Sequence, residues 1–284
     1  MAKLTSFTSD SNQKIVVYGP PKAGKTQLVG TLASKYKLIW FDLENGFETL
    51  LKLPQEIKER IELVRIPDSK VYPIAVETML KVFSGAAVEI CEEHAKVNCA
   101  ICKKDSKPTY KFKLSDVPED TIVVVDSLTQ FTISAIANIT RSQPEDYKMQ
   151  FDDWGSLRAL VEKLLSCIQA APCKVVAITH EEEVEMEDGR KKIVPVCGSS
   201  KSSRNTAKFF GHVVYCELKN KKHIAASATT YANNIITGSR TDVDLEANGD
   251  NNLLAIFSQK PEESVTPGHT ALSALRATQS QLKK

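Results

Sequence analysis

The run Gly19-Pro20-Pro21-Lys22-Ala23-Gly24-Lys25-Thr26 matches the spacing G-x-x-x-x-G-K-[ST] at every fixed position. That spacing suits holding a chain of phosphates. The glycines let the backbone curl so that successive N–H groups point inward at a β-phosphate, and the positive end of the following helix adds to the field. Lys25 is placed to reach the β- and γ-phosphates, and Thr26 to offer its hydroxyl to Mg²⁺. Residues 19–27, with Gln27 just past the loop, are the expected nucleotide contacts, and ATP with Mg²⁺ the expected cofactors. An ordinary glycine-rich turn is the plain alternative; an apolar run before the loop and a helical pattern after it argue against that.

Acidic residues occur where such a loop needs them. Asp126 ends the apolar run at 121–125, and an aspartate at the tip of a buried strand can hold the Mg²⁺ shell from the side opposite Thr26. Asp42 and Glu44 follow a second apolar run at 38–41. Ligands of open α/β sheets bind at the carboxyl ends of strands, so both are expected to face the γ-phosphate, where a base for the attacking water is required. A solvated turn is the competing reading. His180, directly after the run at 174–179, either senses the γ-phosphate or simply ends a strand.

Cys91-x2-His94-x4-Cys99-x2-Cys102 supplies four soft ligands, the number a structural Zn²⁺ needs for a closed tetrahedron. The clip is more compact than two-knuckle sites usually are. Its flanks, Lys96, Lys103, Lys104 and Lys107, are unlike the surroundings of core cysteines. Zinc is favoured over helix-face cysteines and over redox thiols, with a structural role and the flanking lysines on offer to nucleic acid. Seven cysteines, an odd number with three crowded together, do not form a disulfide framework, so reduced thiols are expected.

These residues need a scaffold. The chain has 284 residues, 42% hydrophobic and 25% charged, which excludes collagen-like, low-complexity and wholly disordered classes. No apolar run approaches the ~18–20 residues of a membrane span. The first fourteen residues lack the apolar stretch of a signal peptide, so a soluble, unsecreted, cytoplasmic protein is expected, in the host cytoplasm if viral. A net charge of +2 leaves nucleic acid to be decided by local patches. Strands are expected at 14–18, 38–41, 61–66, 121–125 and 174–179, with helices at 26–35, 74–93, 128–139 and from Trp154 to the region of Pro172, Asp152 and Asp153 being cap candidates. Continuous apolar strands alternating with helices describe a mainly parallel sheet covered on both faces. After residue 180 the pattern changes: Asp188-Gly189 marks a hairpin within 183–196, and 212–218, 222–228 and 253–257 read as strands.

The order GPPKAGKT, FDLENG, IVVVDS, VVAITH resembles the RecA/Rad recombinase core within the P-loop ATPases, and most of all the minimal phage-encoded RecA-like ATPases implicated in single-strand annealing and recombination. The resemblance spans roughly residues 12–260. It implies that Lys25, Glu44 and Asp126 are catalytic, with Glu44 activating water, and that His180 couples nucleotide state to DNA contacts, although the family usually has Gln or Asn there. It places DNA-binding loops loosely at 141–153 and 181–210, and makes Arg240, in Gly238-Ser239-Arg240, a candidate finger reaching a neighbouring subunit's γ-phosphate.

The second loop has a physical case of its own. Its first half is acidic, and basic residues follow: Arg190, Lys191, Lys201, Arg204 and Lys208, with serines at 199, 200, 202 and 203. Such a loop suits phosphate backbones without sequence reading. A solvated hairpin and linker is the alternative, as core packing is for Phe209 and Phe210.

The expectation is therefore an α/β protein: a RecA-like P-loop core at 14–260 with a mainly parallel central sheet, a late β-hairpin and a small zinc-clip insertion at 91–110, between flexible segments at 1–13 and 261–284. Its expected work is Mg²⁺-dependent ATP hydrolysis while bound to single-stranded DNA as a homo-oligomeric ring or filament, promoting annealing or strand exchange, with a single-strand-binding protein as a further partner and no membrane role. The rivals are a motor or helicase-loader ATPase acting on a protein partner, and a binding module that ATP switches without turnover.

Overall fold

The computed structural model describes residues 13–228, 232–240, 243–245 and 252–257. The expectations for 1–12 and for the tail at 261–284 lie outside them. Gln13, placed by sequence in the loose N-terminal segment, is buried, and its carbonyl accepts the Val175 N–H.

The strands are β1 (Lys14–Tyr18), β2 (Lys37–Asp42), β3 (Ile61–Arg65), β4 (Val88–Cys91), β5 (Thr109–Phe112), β6 (Thr121–Asp126), β7 (Lys174–Thr179), β8 (Glu181–Glu185), β9 (Lys191–Pro195), β10 (His212–Lys219), β11 (Lys222–Ala226) and β12 (Gly238–Ser239). The helices are α1 (Lys25–Gly30), α2 (Gln55–Lys58), α3 (Ala75–Val82), α4 (Ala100–Lys104), α5 (Leu128–Ile139), α6 (Phe151–Ala170), α7 (Ser200–Ser203) and α8 (Leu254–Phe257). The main sheet has the order β11-β10-β1-β7-β6-β2-β3, with β12 on β10. From β10 to β3 every pairing is parallel, and β11 and β12 are antiparallel.

Every residue of β1, β6 and β7 is buried, as a sheet covered on both faces demands. On one face α3, α5 and α6 cover Val16, Phe41, Val123 and Val175; on the other α1 and the 3-10 turn Thr31–Ser34 cover Val17, Trp40, Val124 and Ile178. Because the central strands run parallel, their carboxyl ends share one edge. The loop after β1, Asp42, Asp126 and His180 are therefore brought to the same side of the molecule.

Two expectations are corrected. The helix expected at 74–93 ends with α3 at Val82; Gly85 adopts φ +82°, and β4 then pairs antiparallel with β5. The apolar face at Ile74, Met79 and Val82 suits a helix, but Val88 and Ile90 are buried as strand residues. The strand expected at 253–257 is the helical turn α8, begun by the Asn252 side chain accepting the Leu254 N–H. Neither Asp152 nor Asp153 is the N-cap, because α6 begins at Phe151 and is capped by Gln150; Asp153 instead sits in the first turn and accepts the Gln150 N–H.

Candidate functional site

The loop between β1 and α1 curls tightly. Gly19 has φ +147° and Gly24 φ +89°. A Cβ on Gly19 would meet the Cys216 carbonyl oxygen at 2.0 Å, and one on Gly24 would meet His223 Nδ1 at 2.9 Å, so both positions need glycine for space as well as conformation. Lys25 Nζ donates to the carbonyls of Gly19 (2.9 Å) and Pro20 (2.8 Å) and lies 3.4 Å from His180 Nδ1. Thr26 Oγ1 donates to Asp126 Oδ2 at 3.2 Å, the pair that would share a divalent cation. Pro21, Lys22, Gly24, Lys25, Thr26 and Gln27 line a cleft of about 350 Å³, closed opposite by Glu44, Asp126 and His180. Ala23, by contrast, is buried beneath the loop.

The two carboxylates after β2 diverge. Asp42 is buried and accepts the backbone N–H groups of Gly46 (3.0 Å) and Phe47 (3.2 Å). It closes the turn that carries Glu44 and does not line the cleft, which corrects the expectation that it faces the γ-phosphate. Glu44 does line the cleft. Its Oε1 accepts a hydrogen bond from the Ser127 hydroxyl and lies 3.7 Å from His180 Nε2. Burial pushes the Glu44 carboxyl up, but the nearby His180 ring, the hydrogen bond from Ser127 and the charge of Lys25 outweigh it and hold Glu44 below its ordinary range. Glu44 is thus kept ionised, the form a base requires.

Asp126 is the reverse case. Burial first, then the neighbouring charges of Glu44 and Asp42, push it up to about 7 despite the Thr26 hydrogen bond and Lys25. Lys25 is drawn below its ordinary range by burial, opposed by Cys216, Asp126 and Glu44. A cation seated on Asp126 must displace a proton below that pH. Mg²⁺ affinity in the presence of an ATP analogue is therefore expected to fall by about tenfold per unit below pH 7 and level off above it, read by Mn²⁺ titration at pH 6 and pH 8. The raised value also sets a stability slope. The unfolded aspartate, near 3.9, binds fewer protons than the folded one between about pH 4 and 7, so the cation-free fold loses stability as pH rises through that window. Asp126→Asn is expected to melt higher than the parent at pH 8 without cation, by about 2–4 kcal/mol of stability.

Sequence reasoning missed several residues here. His223, on β11, donates from Nδ1 to the Ala23 carbonyl at 2.9 Å. Thr49 and Lys52, from the 3-10 turn Phe47–Lys52, and Thr179 line the same cleft. Thr179 Oγ1 donates to the Val196 carbonyl at 2.6 Å and lies 2.9 Å from Thr129 Oγ1, which accepts the His180 N–H. The Val196 N–H in turn donates to the His180 carbonyl, so the strand end and the base of the β8–β9 hairpin are tied together.

The basic residues expected at a nucleic-acid surface are spread over the β8–β9 hairpin and the segment that follows it, which is tied to β8 by the bond from the Ser200 hydroxyl to Glu182. On the hairpin, Arg190 bonds Asp188, and Lys191 sits 2.9 Å from Glu183. Lys201 and Lys208 flank a crevice against Arg158 and Glu162 of α6, and the Arg204 Nε is buried among the described residues without a hydrogen-bond partner. Phe210 belongs to the core; Phe209 packs on its margin beneath Lys208, whose Nζ is 5.0 Å from the ring centroid. At the end of the first expected loop Phe151 stands exposed, and Trp154, one residue beyond that loop, is half-exposed; both belong to the start of α6. Arg240 lies at the amino edge of the sheet beside Gly211 and His212, the edge opposite the phosphate loop of its own chain.

The four residues expected to ligate zinc come together. His94 Nδ1 lies 3.2 Å from Cys102 Sγ, 3.8 Å from Cys99 Sγ and 3.9 Å from Cys91 Sγ, and all four ligand atoms fall within 4.8 Å of one another. Cys91 ends β4, Cys99 is the N-cap of α4 and Cys102 lies within it, so the β4–α4–β5 unit supplies three thiols and His94 the fourth arm.

No curated protein matches the chain. Among solved structures, an ATPase from the type III secretion system of pathogenic bacteria is similar at 16% identity and a TM-score of 0.38. That alignment covers 74% of this chain and 53% of the other, so this chain spans about half the length of that relative. A family described as AAA domain matches residues 11–241, a stretch that holds the phosphate loop, Glu44, Asp126, His180 and the cysteine cluster. The chain thus belongs to the AAA domain family, as a P-loop ATPase domain.

Proposed function

We propose that this protein hydrolyses ATP with Mg²⁺ and couples turnover to single-stranded DNA as a homo-oligomer, in annealing or strand exchange. Lys25 and the loop N–H groups bind the phosphates, Glu44 takes the proton of the attacking water, and ADP and phosphate leave. Asp126 and Thr26 would hold Mg²⁺, which neutralises charge on the transferred phosphoryl group. The observation that carries the coupling is the position of His180. It stands between Lys25 Nζ and Glu44 at one end, and its next residue, Glu181, begins the β8–β9 hairpin. A γ-phosphate that moves the His180 ring therefore moves the root of the hairpin. The exposed Phe151 and Trp154 offer π-faces of the kind on which unpaired bases stack. A single-strand-binding protein belongs to the same reading as a second partner.

One observation favours a protein partner instead. The hairpin cations Arg190 and Lys191 are paired with Asp188 and Glu183, and β8 is Glu-rich, which suits a basic protein surface better than phosphates. Phosphate release with and without single-stranded DNA, at low and moderate salt, separates the two. DNA is expected to raise turnover several-fold, more at low salt, and Lys25→Ala to abolish it. Turnover indifferent to DNA would sink the recombinase reading and leave the motor or loader reading standing.

A further inference from the structure

Val214, Cys216 and Leu218 form one column of side chains on β10. Val214 and Cys216 are buried in the core beneath α1, whereas Leu218, two residues on, is 56% exposed. β1 ends at Tyr18, opposite Tyr215, so Leu218 has risen past the edge of the sheet alongside the phosphate loop. Its antiparallel partner on β11 is His223, and directly opposed residues present their side chains to the same face. His223 is fixed against that loop through Nδ1 and the Ala23 carbonyl, and its ring abuts Gly24. Since a carbonyl only accepts, Nδ1 carries the proton and the ring orientation is set. A single exposed leucine is ordinary, but one beside a ring pinned to a nucleotide cleft is a surface with an address.

The cleft has a direction. Glu44, Asp126 and His180 mark the γ-phosphate end, and they follow β2, β6 and β7, all on one side of β1. β10 and β11 lie on the other side. A triphosphate with its γ end at Glu44 carries its nucleoside toward β10 and β11. We propose that Leu218 and His223 form the platform on which the purine ring of the bound nucleotide stacks. The inference rests on the ATP-binding reading above and adds the residues that recognise the base.

The test compares binding of ATP and of inorganic tripolyphosphate by calorimetry to the full chain and to Leu218→Ser, a change at an exposed position that leaves the core intact. Leu218→Ser is expected to weaken ATP about tenfold while tripolyphosphate stays within about twofold of the parent. His223→Ala is expected to weaken both ligands, because it removes the brace on the loop as well, and to weaken ATP the more. Equal losses for ATP and tripolyphosphate in Leu218→Ser, or no loss of either, would overturn the platform. Wild-type protein that binds tripolyphosphate as tightly as ATP would also overturn it while leaving the phosphate loop standing. Wild-type protein that binds neither would overturn the ATP reading itself.

Discussion

Glu44→Gln is expected to bind ATP at least as tightly as the parent and to lose turnover by about two to four orders of magnitude, the usual contribution of a positioned general base. Three features make Glu44 the residue to change. Its carboxylate lines the cleft that holds Lys25 and Thr26, it is ionised at neutral pH because His180, Ser127 and Lys25 outweigh burial, and the Asp42-capped turn fixes its backbone. Glutamine keeps the shape and an oxygen to accept from Ser127, so the geometry survives while the proton acceptor does not. It also removes a negative charge facing the γ-phosphate, which is why affinity is not expected to fall. Asp42→Asn is the instructive partner. Its damage passes through the turn, where asparagine offers one accepting oxygen in place of the two that hold the Gly46 and Phe47 N–H groups, so lower stability is expected alongside lower turnover. Single-turnover phosphate release beside equilibrium nucleotide binding distinguishes the two. A Glu44→Gln protein that hydrolyses at the parent rate would place the base elsewhere.

The contrast between Asp42 and Glu44 shows where sequence reading stops. Both carboxylates follow β2, and the spacing places both at the carboxyl edge. Which one turns inward is decided by two backbone N–H groups, those of Gly46 and Phe47, that reach Asp42 and leave Glu44 free to face the cleft. The loop at 19–26 was legible because phosphate binding uses backbone at a fixed local spacing. His223 and Leu218 carry no such signal. The place of His223 beside Gly24, and of Leu218 opposite His223, follows from the pairing of β11 with β10 and of β10 with β1, nearly two hundred residues away in sequence. The same holds for β4, whose apolar residues fit a helical spacing equally well until its partner β5 is known. Short-range chemistry could be read from residue types, whereas long-range pairing needed the structure.

Zinc removal is expected to melt the segment from β4 to β5 while leaving nucleotide binding in place. With Zn–S about 2.3 Å and Zn–N about 2.0–2.1 Å, a tetrahedral ion sets sulfurs about 3.8 Å apart and sulfur and nitrogen about 3.5 Å apart. The separations of 3.2–3.9 Å around His94 Nδ1 fall on that scale. Cys91, Cys99 and Cys102 bury against one another as a cluster separate from the two main cores, too small to order a loop by apolar burial. Meanwhile Ala95, Asn98 and Ser106 all hold positive φ, which costs a non-glycine residue about 1 kcal/mol or more. Something must offset that cost, and zinc binding by such ligand sets contributes about 10–16 kcal/mol. One zinc per chain is therefore expected by elemental analysis, none in Cys102→Ser, and fast amide exchange across 88–112 after chelation. The clip docks on the α3 side of the sheet through Thr78 to the Ala95 carbonyl, and none of its residues lines the nucleotide cleft. ATP affinity is accordingly expected to change by no more than about twofold, a factor within the error of treating separated sites as independent. Zinc-free protein whose segment exchanges as slowly as the parent's would show that the thiols need no metal.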